Sequence, residues 1–173
     1  MSAPDAAAVI EVGDLRVVFE RRGDRFGHRV EVRAAADAPW LVACYSLEGE
    51  ADDDWPPSPP FQQLHVERRP RGPVVLLVGM AGRTHWSGAV AEGDDGGVQF
   101  DFAARAHQTP LRLGSSYVGV DSGAFDLPAW TAGEATEIVN DAATLGGRTV
   151  GPRSPLASPP ATWTWKYVVG PSG

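Results

Sequence analysis

The chain has 173 residues, of which 43% are hydrophobic and 21% are charged, so one domain of this length can bury a core without disulfides. This composition excludes a fully disordered chain, a coiled coil and a membrane protein. The net charge of −7 argues against nucleic acid and anionic membrane surfaces as partners, because both repel an acidic protein.

The N-terminal segment and the cysteine content predict where the protein resides. Residues 1–14 contain no basic segment followed by an apolar core, so no secretory signal is expected. Cys44 is the only cysteine, which excludes an internal disulfide and a zinc site built from cysteines. The sequence therefore predicts a soluble cytoplasmic protein.

The first part of the chain has the pattern of short strands separated by turns. Apolar and polar residues alternate over residues 15–20 and 26–33, on either side of a turn at Gly23 and Asp24, which predicts a β-hairpin. Residues 40–47 are apolar on both faces, as in a central strand covered on both sides. Further strands are predicted over residues 61–69, 74–80, 84–91, 98–107 and 115–120.

The pattern changes in the last third of the chain. Thr131 is a suitable helix N-cap and Gly146 with Gly147 a suitable C-cap, so a short helix is predicted near residues 134–145. Residues 162–169 again alternate, here between aromatic and polar side chains, and predict a final strand.

These elements predict an all-β protein, a single antiparallel β-sandwich of eight or nine strands with one short helix. An antiparallel β-barrel is the alternative, since the order of the strands is not visible in the sequence. We expect residues 1–173 to form one domain, with residues 121–160 as a loop-rich excursion before the final strand.

Three expectations concern the sandwich itself. His28 lies on the apolar face of the first hairpin and is expected to be a hydrogen-bonded core histidine. Trp40 and Trp86 are expected in the core. The arginines on the polar face of the hairpin are expected to pair across the strands with two glutamates, and this set comprises Arg16, Arg22, Arg25, Arg29, Arg33, Glu20 and Glu31.

The order of the strands along the chain predicts which loops share an end of the sandwich. Each strand of an antiparallel sandwich crosses the molecule, so alternate connections lie at the same end. One end then receives the turn at Gly23, the acidic loop 48–60, the turn 81–83 and the segment 107–114. Loops on a rigid scaffold commonly carry binding residues, so this end is the first place to expect a site.

An acidic cluster at this end suggests a metal site. Asp52, Asp53 and Asp54 supply carboxylate oxygens of the type that divalent cations prefer, and two histidines, His85 and His107, are expected nearby. The spacing matches no EF-hand and no zinc motif. The alternatives are a divalent cation held by these five residues, a solvated acidic loop, and a contact with a basic protein partner.

Aromatic and proline-rich segments suggest a second kind of site. Trp163, Trp165 and Tyr167 project from one face of the last predicted strand, as either an exposed binding platform or part of the core. Trp55 begins a proline-rich segment that is either a docking motif or a stiff connector. Arg83, in a turn at the same end as the acidic loop, is a further candidate contact residue.

No catalytic or cofactor motif is found, because residues 114–119 lack the spacing of a serine nucleophile elbow and no glycine-rich phosphate loop occurs. We therefore expect a non-catalytic binding or protein-interaction module, with a protein partner or a second copy of the chain as its occupant. The alternative is a metal-dependent hydrolase with a His/Asp site at one end of the sandwich. Exposure of the Trp163 face would favour the first reading, and convergence of His85 with His107 would favour the second.

Overall fold

The computed structural model describes residues 6–120, 127–144, 146–153 and 157–171. Within them, no helix is long and apolar enough to span a membrane. The strands are β1 Ala8–Val12, β2 Leu15–Arg22, β3 Arg25–Val32, β4 Leu41–Ser46, β5 Phe61–Arg69, β6 Gly72–Ala81, β7 Thr84–Glu92, β8 Val98–Ala106, β9 Ser115–Gly119, β10 Ala129–Ala132, β11 Thr136–Asp141, β12 Gly147–Pro152 and β13 Ala161–Gly170.

The strands form two antiparallel sheets that pack face to face. The seven-stranded sheet has the order β1-β2-β3-β4-β9-β12-β11, and the six-stranded sheet has the order β10-β13-β8-β7-β6-β5. Within the described ranges neither sheet closes on itself, so the predicted β-sandwich is confirmed and the alternative barrel is not formed.

The core lies between the two inner faces, because alternate residues of a strand point to the same side. Trp165 and Tyr167 of β13 lie opposite Phe102 and Phe100 of β8, and all four side chains are almost fully buried. The rings of Phe100 and Tyr167 stack in parallel with their centroids 4.8 Å apart. Removing rings of this size from water is a large favourable contribution to folding.

A chain of hydrogen bonds crosses this core. His28 Nε2 lies 2.8 Å from the hydroxyl of Tyr117, which is hydrogen-bonded in turn to the hydroxyl of Tyr167. Beside this pair, the indole nitrogen of Trp165 donates to Ser115 Oγ at 3.1 Å. The predicted hydrogen-bonded core histidine is therefore confirmed. Burial lowers the pKa of His28 to about 3, so the ring joins the chain in its neutral form at neutral pH.

The predicted helix near residues 134–145 is wrong. Thr131 is not a helix cap but lies within β10, where it pairs with Val168 of β13. β11 and β12 form a hairpin, and Asp141 accepts two hydrogen bonds in the turn between them, at 2.9 Å and 2.7 Å. These strands are rich in β-branched residues, which fit a pleated sheet better than a helix. Leu145, the last residue of the predicted helix, lies outside the described residues.

The structure has more strands than the eight or nine predicted. β10, β11 and β12 lie within residues 121–160, which the sequence suggested to be a loop-rich excursion, and β1 precedes the first predicted strand. Residues 121–126 and 154–156 of this segment lie outside the described residues. β12 pairs with β9 and β10 pairs with β13, so the segment contributes strands to both sheets.

The outer face of β2 and β3 carries a ladder of ion pairs. Glu31 pairs with Arg16 and, at 2.6 Å, with Arg29. Glu20 pairs with Arg29 and, at 2.7 Å, with Arg22. The predicted cross-strand pairing is confirmed for Arg16 with Glu31 and for Arg29 with Glu20, whereas Arg22 reaches Glu20 within β2. Arg25 pairs with Asp24 instead, and Arg33 pairs with Asp14 and Glu11.

The two tryptophans expected in the core have different surroundings. Trp86 is buried there, at 4% exposure. Trp40 is half-buried instead, and the guanidinium carbons of Arg16 and Arg33 each lie 4.5 Å from its ring centroid. Its ring packs on the outer charged face, where cation–π contacts replace burial between the sheets.

Candidate functional site

Four connections meet at one end of the sandwich, as the strand count predicts. Arg25, the first residue of β3, is 2% exposed and lies against the acidic loop, residues 48–60. Its guanidinium donates to the carbonyl oxygens of Glu48 at 3.0 Å and Glu50 at 3.2 Å, and to the Asp24 carboxylate at 2.9 Å. One cation therefore fixes the backbone of the acidic loop to the turn between β2 and β3.

The other two connections contact the same loop. Arg112, in the segment 107–114, donates to the carbonyl oxygen of Trp55 at 2.6 Å and pairs with Asp53 at 3.0 Å. The turn between β6 and β7 is equally close, since a Cβ atom built on Gly82 would lie 2.8 Å from the carboxylate of Asp54. The acidic loop thus contacts the other three connections and packs them into one end of the sandwich.

The structure does not bring the five metal candidates together. Both carboxylate oxygens of Asp53 are engaged, one by Arg112 and the other by the backbone nitrogen of Trp55 at 2.8 Å. Among the described residues, no three His, Cys, Asp or Glu side chains are grouped closely enough to hold a metal ion. The remaining candidates are exposed to solvent, namely Asp52, Asp54, His85 and His107.

The aromatic platform considered for the last strand is not formed. Trp163, Trp165 and Tyr167 are 5%, 1% and 0% exposed, because β13 runs through its sheet between β10 and β8 and turns this face to the core. Trp55 is 7% exposed and packs edge-on against Trp86, with ring centroids 6.2 Å apart. These aromatic residues stabilise the fold, and their ring faces are not available to a partner.

The proline-rich segment is a packed connector. Ser58 Oγ accepts a hydrogen bond from the backbone nitrogen of Ser116 at 3.0 Å and donates to its carbonyl oxygen at 3.2 Å. The carbonyl oxygen of Pro60 rests against β6, since a Cβ atom built on Gly79 would lie 1.9 Å from it. Arg83, the remaining predicted contact residue, is exposed in the turn between β6 and β7.

A different surface has the shape of a binding site. The outer face of the six-stranded sheet carries a groove of about 470 Å³ over β5, β6, β7, β8 and the start of β13. Two rows of side chains line it, and the strand register places the members of each row side by side. One row is Met80, His85, Arg105 and Thr162, and the other is Gln63, Val78, Ser87 and Ala103.

The side chains of the groove differ in size and polarity. Ser87 and Ala103 are short and form its floor. Val78 and Met80, on β6, are 47% and 48% exposed and form an apolar wall. Arg105, on β8, adds a solvent-exposed cation on the other side of the floor. The groove therefore offers an apolar surface and a positive charge to one ligand.

A bulge in β5 fixes the edge of this groove. The strand register shifts between Phe61 and Gln63, so the main-chain ladder is interrupted there. The side-chain amide of Gln62 takes the place of the missing main-chain hydrogen bonds. It donates to the Met80 carbonyl at 2.8 Å and accepts from the Met80 nitrogen at 2.7 Å. These two bonds hold the Met80 backbone in place beside the groove.

Of the residues that line the groove, the sequence indicated only His85 as a candidate site residue, and it predicted Trp86 in the core. Val78 and Met80 alternate along β6 with Leu77 and Gly79, which face inward. Two apolar side chains on the outer face of one strand were therefore the signal in the sequence that could have indicated a binding surface. The position of Arg105 beside His85 depends on the pairing of β7 with β8, which the sequence does not show.

Comparison of the chain with family models, with curated proteins and with solved structures finds no match. Its function is therefore inferred from the side chains of the groove and their arrangement.

Proposed function

We propose that this protein is a non-catalytic binding module that holds a small amphipathic anion in the groove on the outer face of the six-stranded sheet. The observation that supports this most directly is the presence of exposed Val78 and Met80 in the same groove as Arg105. The groove volume of about 470 Å³ lies within the range of about 300–1,000 Å³ that is typical of small-molecule sites.

Arg105 selects the charge of the ligand. Its guanidinium takes part in none of the ion pairs among the described residues, so its donors are free for an anion. His85 and Thr162, its two cross-strand neighbours, add further hydrogen-bonding groups. The planar fork of a guanidinium matches a carboxylate, which can accept two parallel hydrogen bonds.

Val78 and Met80 select the remainder of the ligand. An aliphatic chain that lies across Ser87 and Ala103 would cover both exposed apolar side chains and remove them from water. The unbranched methionine side chain adapts to ligands of different shape. A carboxylate with an aliphatic chain of medium length therefore combines the two contacts.

The histidine and the serine of the groove favour binding over hydrolysis. His85 and Ser87 lie on the same face of β7, and the structure shows no hydrogen bond between these two side chains. A serine nucleophile needs its base within hydrogen-bond reach. His85 is thus better placed as a ligand contact beside Arg105 than as a catalytic base.

NMR of the methionine methyl groups tests this proposal. The sequence contains two methionines, so ¹³C-methyl labelling gives one reporter in the groove, Met80, and one at the start of the chain, Met1. We expect octanoate to shift the Met80 signal in a saturable manner, octanol and acetate to bind more weakly, and the Met1 signal to stay in place. The absence of a saturable octanoate shift at Met80 would overturn the proposal.

A matched pair of arginine variants separates the groove from general charge effects. Arg105→Gln is expected to weaken octanoate binding about tenfold, or about 1.4 kcal/mol, and to abolish the preference for octanoate over octanol. Arg71→Gln removes an exposed arginine at the opposite end of the same sheet and is expected to leave affinity unchanged. Equal octanoate affinity of wild type and Arg105→Gln would contradict the role of Arg105.

A further inference from the structure

A second cavity lies at the other end of the six-stranded sheet, where the turn between β5 and β6 meets the last residues of β7. Its volume is about 430 Å³, and it shares no lining residue with the groove. Val74 is 7% exposed and forms its floor. The side chains of Pro70, Pro73 and Ala91 add further apolar lining. The apolar part of a ligand therefore finds a surface to cover in this cavity.

Three charged side chains line this cavity, and two of them already have partners. Arg69 pairs with Glu67 at 2.9 Å, and Arg71 pairs with Asp94 at 2.7 Å. Glu92 is exposed and takes part in none of the ion pairs among the described residues. The unpaired charge at this cavity is therefore the negative charge of Glu92, whereas the groove has an unpaired cation.

The glycine at position 72 leaves room beside this carboxylate. A Cβ atom built on Gly72 would lie 4.0 Å from Glu92 Oε2, and no other atom beyond its two chain neighbours comes within 4 Å of that position. Gly72 has a φ of +122°, a backbone conformation that strains any residue with a side chain. The backbone of the turn and the carboxylate are thus separated by open space, in which the charged group of a ligand can lie.

We propose that this cavity binds a primary ammonium ion that carries a short apolar group, with Glu92 as its counter-ion. The ammonium group would lie between the Glu92 carboxylate and the Gly72 backbone and donate hydrogen bonds to the carboxylate. Its apolar group would cover Val74 and the two proline rings. An anion is disfavoured here, because it would have to displace Glu67 or Asp94 from its arginine and would be repelled by Glu92.

Titration with butylammonium at neutral pH, followed by NMR of the backbone amides, tests the proposal. We expect saturable shifts at Gly72, beside the carboxylate, and at Ala91, in the apolar lining. Butanol has the same apolar group without the charge and is expected to bind about tenfold more weakly, and butyrate is expected to cause no saturable shift. The absence of a saturable butylammonium shift at these two amides overturns the site. Equal affinity for butanol, or a saturable shift with butyrate, overturns the assignment to a cation.

A matched pair of acid variants locates the charge that binds the ligand. Glu92→Gln keeps the size of an exposed side chain and removes its charge, so it is expected to weaken butylammonium binding about tenfold and to leave butanol binding unchanged. Asp95→Asn removes an exposed carboxylate of the adjacent turn that does not line the cavity, and it is expected to change the affinity less than about twofold. Unchanged affinity in Glu92→Gln, or equal weakening by the two substitutions, would contradict the proposal.

Discussion

The Nε2 atom of His28 lies 2.8 Å from the hydroxyl oxygen of Tyr117 in the core of the sandwich. Burial lowers the pKa of His28 to about 3, whereas the ring titrates near 6.5 in an unfolded chain. Between these two values the unfolded state binds more protons than the folded state. The protein therefore loses stability as the pH falls through this window, and the loss ends below the folded pKa.

Replacement of His28 by glutamine removes this titration and keeps an amide near Tyr117. Between about pH 6 and about pH 4, we expect the free energy of unfolding of the wild type to fall about 1.4 kcal/mol more per pH unit than that of His28→Gln. Urea unfolding at a series of pH values measures both slopes. Parallel profiles of the two proteins would show that the ring is not held in its neutral form.

Glu48 has the opposite dependence on pH. Burial raises the pKa of its carboxyl from 4.5 to about 7, although Arg22 and Arg25 lie near it and Ser46 donates a hydrogen bond to it. The folded state therefore binds more protons than the unfolded state between these values. The stabilisation is complete below pH 4.5 and is lost as the pH rises through 7.

Glutamine at position 48 resembles the protonated carboxyl and does not titrate. We expect Glu48→Gln to be more stable than the wild type above pH 7 and to lack the decline in stability between pH 4.5 and 7. Glu67→Gln is the control, since Glu67 lies at the surface and Arg69 lowers its pKa. A Glu48→Gln protein that is less stable than the wild type at pH 8 would contradict this account.

Gly79 is the point where the proline-rich connector touches β6. A Cβ atom there would lie 1.9 Å from the carbonyl oxygen of Pro60, so Gly79→Ala displaces backbone and is expected to cost about 2–3 kcal/mol in urea unfolding. Gly170→Ala is the matched control, since nothing lies within 4 Å of its Cβ position, and its effect is expected within about 0.5 kcal/mol. Similar losses in both variants would refute the close approach.

Arg25 is expected to hold the acidic loop in place. Arg25→Met keeps the buried volume but leaves the carbonyl oxygens of Glu48 and Glu50 without their donor, at a cost of about 2–3 kcal/mol. Amide exchange of Asp53, whose nitrogen donates to Glu50 at 3.2 Å, should become faster in this variant. Arg69→Met removes an exposed, solvent-screened ion pair and serves as control, with little expected effect on stability. Unchanged exchange at Asp53 would argue against this role of Arg25.

The sandwich could be predicted because a two-residue alternation specifies which face of a strand is buried. It assigned Trp163, Trp165 and Tyr167 to one face, and it placed His28 among apolar neighbours in the core. The prediction from helix-capping preferences was wrong at Thr131. This residue is of a type that often caps a helix, but it lies in the edge strand β10 and pairs with β13. In such short segments the partner strand, rather than local preference, decides the structure.

The groove could not be predicted, because it exists only in the register between strands. His85 and Arg105 become neighbours when β7 pairs with β8, and Met80 joins them when β6 pairs with β7. The acidic loop was easier to notice, since Asp52, Asp53 and Asp54 are adjacent in the sequence. Adjacent charges often lie at the surface, and in this protein Asp53 holds Arg112.

The position of β13 determines when the chain can fold during its synthesis. Residues 161–170 form the strand between β10 and β8, and they bring Trp163, Trp165 and Tyr167 to the core. Until the ribosome has made them, β8 has an unpaired edge and the space between the sheets is unfilled. Unpaired strand edges recruit other chains into aggregates. A nascent chain that lacks β13 therefore has no strand to join β10 to its sheet, and it leaves Phe100 and Phe102 without their cross-strand aromatic partners.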